Sequence, residues 1–397
     1  MESYDFLLSI AIILLVTKIF SLMSRKVHMP QVVGALVAGV ILGPSVLGQI
    51  TETDFLMKTS EIGVIILMFL AGLDTEVREL KKTGMASLII AIIGVVVPLA
   101  GGYAAYQMFF QDTGDPQHFL KAIFMGVILT ATSVSITVET LREMGKLNGR
   151  VGSSILGAAI IDDILGIVIL SLVTSFTDPN AQPKQVFIRI GLYFVFLFFV
   201  GIFVPMIFRA LERWHGNVRR MAIYGFAFCL IMAYITEVFF GIADITGAYF
   251  AGLFLCNVAK TKEYIGKKLT VISYLMFSPM FFASIGIKTN IQGLSGTILM
   301  FAVVLTVIAI LTKMVGCGLG AKLCRFTNRE SVAVGIGMVS RGEVALIVAQ
   351  KGAEASLVDE ALFPAVIVMV IVTTLITPIL LGLIMRERQS RRRKVAA

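Results

Sequence analysis

Apolar blocks of about twenty residues recur from one end of this 397-residue chain to the other, separated by short polar stretches. That length crosses a hydrocarbon core as an α-helix. Inside a bilayer only helices and closed barrels satisfy their own backbone. Composition agrees: apolar residues make up 57% of the chain and charged residues 15%, against about 45–50% and 25% in an ordinary soluble domain. The pattern predicts an all-α polytopic membrane protein of about 13 transmembrane helices, near 5–23, 30–50, 60–77, 84–110, 119–142, 150–176, 186–211, 219–239, 242–258, 266–287, 295–323, 330–351 and 360–385. The first block follows Glu2 and Asp5 without a basic flank, so it is expected to be a retained helix rather than a cleaved signal. Short loops leave no room for a soluble domain, and 1–397 reads as a single transmembrane unit.

Basic residues fall on alternate loops. One set carries Arg25, Lys26, Arg78, Lys81, Lys82, Arg142, Lys146, Arg150, Arg209, Arg213, Arg219, Arg220, Lys260, Lys262, Lys267, Lys268, Lys322, Arg325 and Arg329, and the tail adds Arg386 to Lys394. The positive-inside rule then puts the N-terminus outside and the C-terminus in the cytoplasm. An odd number of crossings agrees. The net charge of +9 is mostly topology and implies no nucleic acid partner. The basic tail can also attract anionic lipid, at about 1 kcal/mol per residue. Cys229, Cys256, Cys317 and Cys324 show no CxxC pairing and read as small apolar residues. His28, His118 and His215 fall in loops, so a zinc-type site is not expected, nor any cofactor.

Asp162 and Asp163 lie side by side within SSILGAAIIDDILGIVILSLVTSF, Ser153 to Phe176, where nothing else is charged. A carboxylate at mid-membrane is costly and reads as functional. Desolvation and mutual repulsion both favour protonation of such a pair, as proton exchange requires. Neighbours on a helix point about 100° apart, so one can line a cavity while the other faces a neighbouring helix. Lys313 lies well inside its segment. A facing aspartate is its obvious partner, with snorkelling to the interface as the alternative. Lys18, near a helix end, is expected to snorkel. Arg341 and Glu343 flank Gly342 and suit a broken helix whose half-helix ends they cap. Arg341 reads as structural rather than transporting. Thr130, Thr132 and Ser133 offer neutral oxygens for a desolvated cation, or serve as ordinary packing hydroxyls.

Carboxylates with hydroxyl or carbonyl oxygens suit a hard cation. The same carboxylates bind protons, so cation and proton compete for one site. If the site opens to each side in turn, that competition is an exchange mechanism.

Segments 1–6 and 8–13 form two candidate inverted-topology repeats joined by segment 7. Segment 5, with its hydroxyl run, then matches segment 12, with its glycines, Arg341 and Glu343. Corresponding interrupted segments point to a binding site. The halves show no convincing residue identity, and the repeat rests on spacing and polarity.

The chain resembles bacterial monovalent cation/proton antiporters, most closely the NapA-type sodium/proton antiporters with paired aspartates. The resemblance is carried by MPQVVGALVAGVILGP (Met29 to Pro44), FLAGLD (Phe69 to Asp74), the hydroxyls from Thr130 to Ser135, Ile161-Asp162-Asp163, Lys313, and Ser340 to Glu343. It implies a homodimer in a bacterial inner membrane. A core of 84–176 and 295–385 would contain crossed, unwound helices, a dimerisation domain would comprise 1–83 and 219–290, and 186–211 would be a linker helix. It also implies an elevator movement, Asp163 as the main ion carboxylate, an Asp162–Lys313 pair that cation binding weakens, and two protons per cation. The 397 residues carry no nucleotide-binding domain of the kind on many potassium-efflux members. Those members also tend to have another residue at the first aspartate. Both features favour Na⁺ or Li⁺, with a K⁺/H⁺ antiporter of the same fold as the nearest rival.

A sodium-coupled solute symporter would need a larger polar cavity than the sequence offers. An intramembrane aspartyl protease needs two aspartates on different helices facing one water, which adjacent residues cannot provide. A channel would need neither paired titratable groups nor a facing lysine. No enzymatic activity is expected.

Overall fold

The computed structural model describes residues 4–26, 29–110, 115–174, 176, 183–214, 218–288, 296–359 and 362–385. The first half contains α1 (Asp5–Lys26), α2 (Gln31–Leu42), α3 (Asp54–Asp74), α4 (Val77–Phe109), α5 (His118–Thr130), α6 (Val134–Glu143) and α7 (Arg150–Thr174). Then follow α8 (Pro183–Trp214), α9 (Val218–Phe240), α10 (Asp244–Leu255), α11 (Ala259–Ile272), a π-helical turn at Ser273–Phe277 and α12 (Ser278–Ile287). The chain ends in α13 (Gly296–Leu323), α14 (Asn328–Gly337), α15 (Gly342–Glu354) and α16 (Phe363–Met385). Ten helical stretches among the described residues are long and apolar enough to cross a membrane, and shorter apolar helices lie at Gln31–Leu42, Asp244–Leu255 and Val344–Ala353. The protein is a multi-pass, all-helical membrane protein.

Several boundaries differ from the hydropathy reading. The helix expected over 30–50 stops at Leu42, with Gly43 as its cap and Pro44 next. Proline cannot continue the ladder and biases its predecessor toward extended backbone. Conversely, α4 starts at Val77, ahead of the expected 84. Its first turns are polar and carry a Glu79–Lys82 ion pair of 2.7 Å, which hydropathy passes over. The expected helix at 266–287 contains the π turn, invisible to any apolar count.

Packing sorts the helices into two groups. In one, α4 lies along α13, α7 and α5, and α13 also holds α14 and α16. In the other, α3 packs on α10 and α12, α2 on α1 and α12, and α9 on α10 and α11. The groups meet where α6 touches α2 and α3, α16 touches α2, and α7 touches α8.

Two helix crossings in the second group are built alike. A Cβ at Gly39 of α2 would strike the Ala283 carbonyl of α12, and one at Gly286 would strike Leu36 and Val40 of α2. In the other crossing, a Cβ at Gly252 of α10 would strike the Phe69 carbonyl of α3, and one at Gly72 would strike the Tyr249 carbonyl of α10. Small residues let helix backbones approach this closely. These crossings expose an identity that the sequence reading missed. QVVGALVAGVIL (Gln31 to Leu42) and DITGAYFAGLFL (Asp244 to Leu255) share Gly-Ala, Ala-Gly and the final Leu in register. Shared small residues carry little weight in an apolar sequence. Only the backbone contacts reveal why they recur.

Candidate ion-binding site

Two helices break at the same place. The chain leaves helical geometry at 131–133, between α5 and α6, and again at 338–341, between α14 and α15. The breaks are tied together: Ser133 N–H donates to the Ser340 carbonyl at 2.8 Å. Thr137 Oγ1 donates to the Gly337 carbonyl at 2.7 Å, which satisfies the end of α14. Gly342 has φ +52°, and a Cβ there would collide with the Ser133 side chain. Both backbone conformation and the close approach therefore require glycine at this position.

A helix that stops inside a membrane leaves carbonyls without donors and a partial negative charge at that end. Two buried cations meet this need at α5. Lys313 Nζ donates to the Thr130 carbonyl at 2.8 Å. Arg341 Nη1 donates to the next carbonyl, that of Ala131, at 2.9 Å. Arg341 also reaches Met338 O at 3.5 Å and Ala309 O on α13 at 3.2 Å. The guanidinium thus joins both breaks to the long helix that carries Lys313.

Asp162 and Lys313 face each other across α7 and α13. Nζ donates to Oδ1 at 2.9 Å and to Oδ2 at 3.2 Å. Lys313 is 0% exposed, so it does not snorkel. Lys18, by contrast, is exposed and donates to the Tyr274 hydroxyl. A buried pair of this kind gains little over an apolar contact but is costly to break by removing one partner.

Asp163 lines a cavity of about 70 Å³, whose walls also include Thr130, Ala131, Asp162, Gly166, Ala243 and Val348. The sequence-predicted residues therefore divide. Asp162, Asp163 and Thr130 share the cavity, and Lys313 stands behind Asp162. Thr132 and Ser133 are buried at the crossing but are not among its walls. Thr130 Oγ1 is occupied by the Val127 carbonyl at 2.7 Å. Ser133 Oγ lies 3.3 Å from Ser135 Oγ, whereas Thr132 Oγ1 has no hydrogen-bond partner among the described residues. Glu343 is in the first turn of α15, and its side chain lies outside the described ones.

The space is small. About 70 Å³ has room for a small cation together with several waters, since one water needs roughly 10–15 Å³ by such a measure. Sites for organic solutes run to about 300–1,000 Å³.

Residues 10–387 match the family model described as "Sodium/hydrogen exchanger, transmembrane". The chain belongs to the sodium/hydrogen exchanger family. It is similar to the Na(+)/H(+)-K(+) antiporter GerN of Bacillus cereus, at 39% identity over 94% of this chain and 95% of that one. It is also similar to the Na(+)/H(+) antiporter of Enterococcus hirae, at 35% identity over 95% and 97%. The solved sodium proton antiporter MjNhaP1 of Methanocaldococcus jannaschii at pH 8 shares the fold, with a TM-score of 0.69, 17% identity and coverage of 96% and 97%. The exchanger is accordingly a transporter and not an enzyme, and the family works with transported ions and no cofactor.

A second polar cluster of the exchanger escaped the sequence reading. Arg142 on α6 pairs with Asp74 at the end of α3 at 3.2 Å and donates to Thr270 on α11 at 3.1 Å. Glu143 accepts the Gln31 N–H, at the start of α2, at 2.7 Å. The sequence reading assigned Arg142 to a loop as a topology charge. The available signal was Glu139 and Glu143, one turn apart, with Arg142 between them on a helical stretch.

Proposed function

We propose that this chain exchanges Na⁺ or Li⁺ for H⁺ by letting cation and proton compete for Asp163, with Asp162 released from Lys313 as the cation binds. One observation carries this reading: Asp163 lines a small cavity beside a buried Asp162–Lys313 pair. Thr130, on the cavity wall, supplies neutral oxygen, while Thr132, Ser133, Arg341 and Glu343 belong to the supporting crossing. Two protons per cation would make the exchange electrogenic.

The remaining architecture follows the same reading. Ten long spans and three shorter apolar helices support 13 crossings, with the N-terminus outside and the C-terminus in the cytoplasm of a bacterial plasma membrane. Two inverted repeats are supported by the matched α2×α12 and α10×α3 crossings. The two packing groups support a transport core of 84–176 and 295–385 against a dimerisation domain of 1–83 and 219–290, with 186–211 as linker. The core would move as an elevator within a homodimer.

K⁺/H⁺ exchange is the second reading, favoured by the similarity to GerN, a Na(+)/H(+)-K(+) antiporter. A solute symporter is disfavoured by the size of the cavity. Proteoliposomes with an imposed pH gradient separate these. Dissipation by Na⁺ or Li⁺, lost in Asp163→Asn, supports the first reading. A response to K⁺ alone moves the chain to the second, and no response to any of the three cations overturns both.

A further inference from the structure

A cavity of about 530 Å³ lies between α1, α2, α6 and the stretch from α11 to α12, away from the aspartates. Its walls are largely apolar, with Leu14, Leu15, Val32, Ala35, Pro279 and Phe282 among them. Leu15, Tyr274 and Leu275 also line it and are exposed on the outer flank of the helices. It therefore opens sideways, toward the hydrocarbon of a surrounding bilayer.

Charges of both signs line it. Lys18 is bound to the Tyr274 hydroxyl and makes no ion pair among the described residues. Across from it stand Glu139 and Glu143. Glu143 accepts the backbone N–H groups of Gln31 and Val32, and Glu139 Oε2 is buried without a hydrogen bond, 3.8 Å from Arg142 Nη1. Arg142 is itself engaged by Asp74 and Thr270. The cavity thus has a cation in need of an anion and carboxylates with acceptor capacity unfilled.

Lys18 and Glu143 start from different depths, while Glu139, about one turn before Glu143 on α6, lies nearer the level of Lys18. Ser21 Oγ donates to the Gln31 carbonyl at 3.0 Å, and the Gln31 N–H donates to Glu143, so Glu143 is level with Ser21. Lys18 is one turn earlier on α1, about 4.5 Å further from its Lys26 end. In a phospholipid the phosphate likewise lies deeper than an amine carried on it. A choline headgroup has no N–H to give the carboxylates. An anionic glycerol headgroup has no positive charge for them.

We propose that this cavity binds an aminophospholipid of the ethanolamine type, its phosphate on Lys18 and Tyr274, its ammonium on Glu143, and an acyl chain along the apolar walls. In the orientation proposed above the lipid comes from the cytoplasmic leaflet. It would bridge α6 to α1, α2 and α12.

Native mass spectrometry of the full-length, delipidated protein tests this with equimolar phosphatidylethanolamine, phosphatidylcholine and phosphatidylglycerol of identical chains. The ethanolamine lipid should be retained about tenfold over both others, the effect of one or two charge-assisted hydrogen bonds. Lys18→Gln and Glu143→Gln should each remove about tenfold of that retention. Because Glu143 also holds the start of α2, Ala35→Phe, which fills the cavity, serves as a second blocker, with folding checked by thermal melting. Equal retention of the three lipids overturns the proposal, as does a preference unchanged in Lys18→Gln and Ala35→Phe. A preference for phosphatidylglycerol would refute the ammonium contact and with it the proposal. The readout is binding alone, so failure here is distinguishable from failure of the antiport reading.

Discussion

Lys313 holds Thr130 at least as closely as it holds Asp162. Its ammonium is 2.8 Å from the Thr130 carbonyl, against 2.9 and 3.2 Å from the two carboxylate oxygens. The carbonyl is one that the break after α5 leaves without an intrahelical donor. An incoming cation that draws Asp162 away therefore does not strand the lysine, which keeps a partner on the helix end.

Removing one member of this pair should cost more than removing both. Asp162→Asn leaves a buried ammonium without its counter-charge, a change of about 3–5 kcal/mol in comparable pairs. Lys313→Gln combined with it removes the charge and retains an amide that can donate to Thr130. Thermal melting of the purified proteins should rank Asp162→Asn below the double variant. Equal melting temperatures would mean that the pair is not the buried contact described.

Lys313→Gln alone tests whether the lysine carries one of two protons. If it does, only the proton on Asp163 is left to exchange and the transport becomes electroneutral. Proteoliposomes under a clamped membrane potential should show Na⁺-driven proton movement without net current. Persistent current in this variant would remove Lys313 from proton transport.

The matched crossings make a prediction about symmetry. Gly39→Leu and Gly252→Leu each push a side chain into a backbone carbonyl of the facing helix. Overpacking of this kind typically costs about 1–3 kcal/mol, and more where backbone must move. The two variants should lose folded protein to a similar degree in a melting assay. Tolerance at one site and collapse at the other would argue against equivalent crossings.

Asp74 and Arg142 join α3 to α6 across the seam between the two packing groups. An elevator movement must break that contact. A short crosslink between Asp74→Cys and Arg142→Cys should stop exchange, with activity restored on reduction. Full exchange in the crosslinked protein would exclude movement at this seam.

Much of the site is legible in the sequence because charge is so costly in a membrane. Asp162, Asp163, Lys313 and Arg341 stand out against apolar neighbours, and hydroxyls and glycines mark the two breaks. What the sequence withholds is geometry. Nothing in it says that Thr130 would face the cavity while Thr132 and Ser133 would not, since that depends on how the chain leaves α5. The role of Arg142 was hidden because a cation near a helix end satisfies the topology rule equally well. The shared small residues of α2 and α10 were hidden because glycine and alanine are common in any membrane helix.

Competition for one carboxylate is tested most directly by calorimetry of Na⁺ binding to the purified protein across pH 6–9, for the wild type and Asp163→Asn. A proton that must leave before Na⁺ enters weakens apparent affinity as pH falls, by about tenfold per unit once the site is mostly protonated, and Na⁺ binding releases protons to the buffer. Competition at Asp163 predicts that behaviour in the wild type and no Na⁺ binding in the variant. Affinity independent of pH, or binding retained in Asp163→Asn, would contradict it.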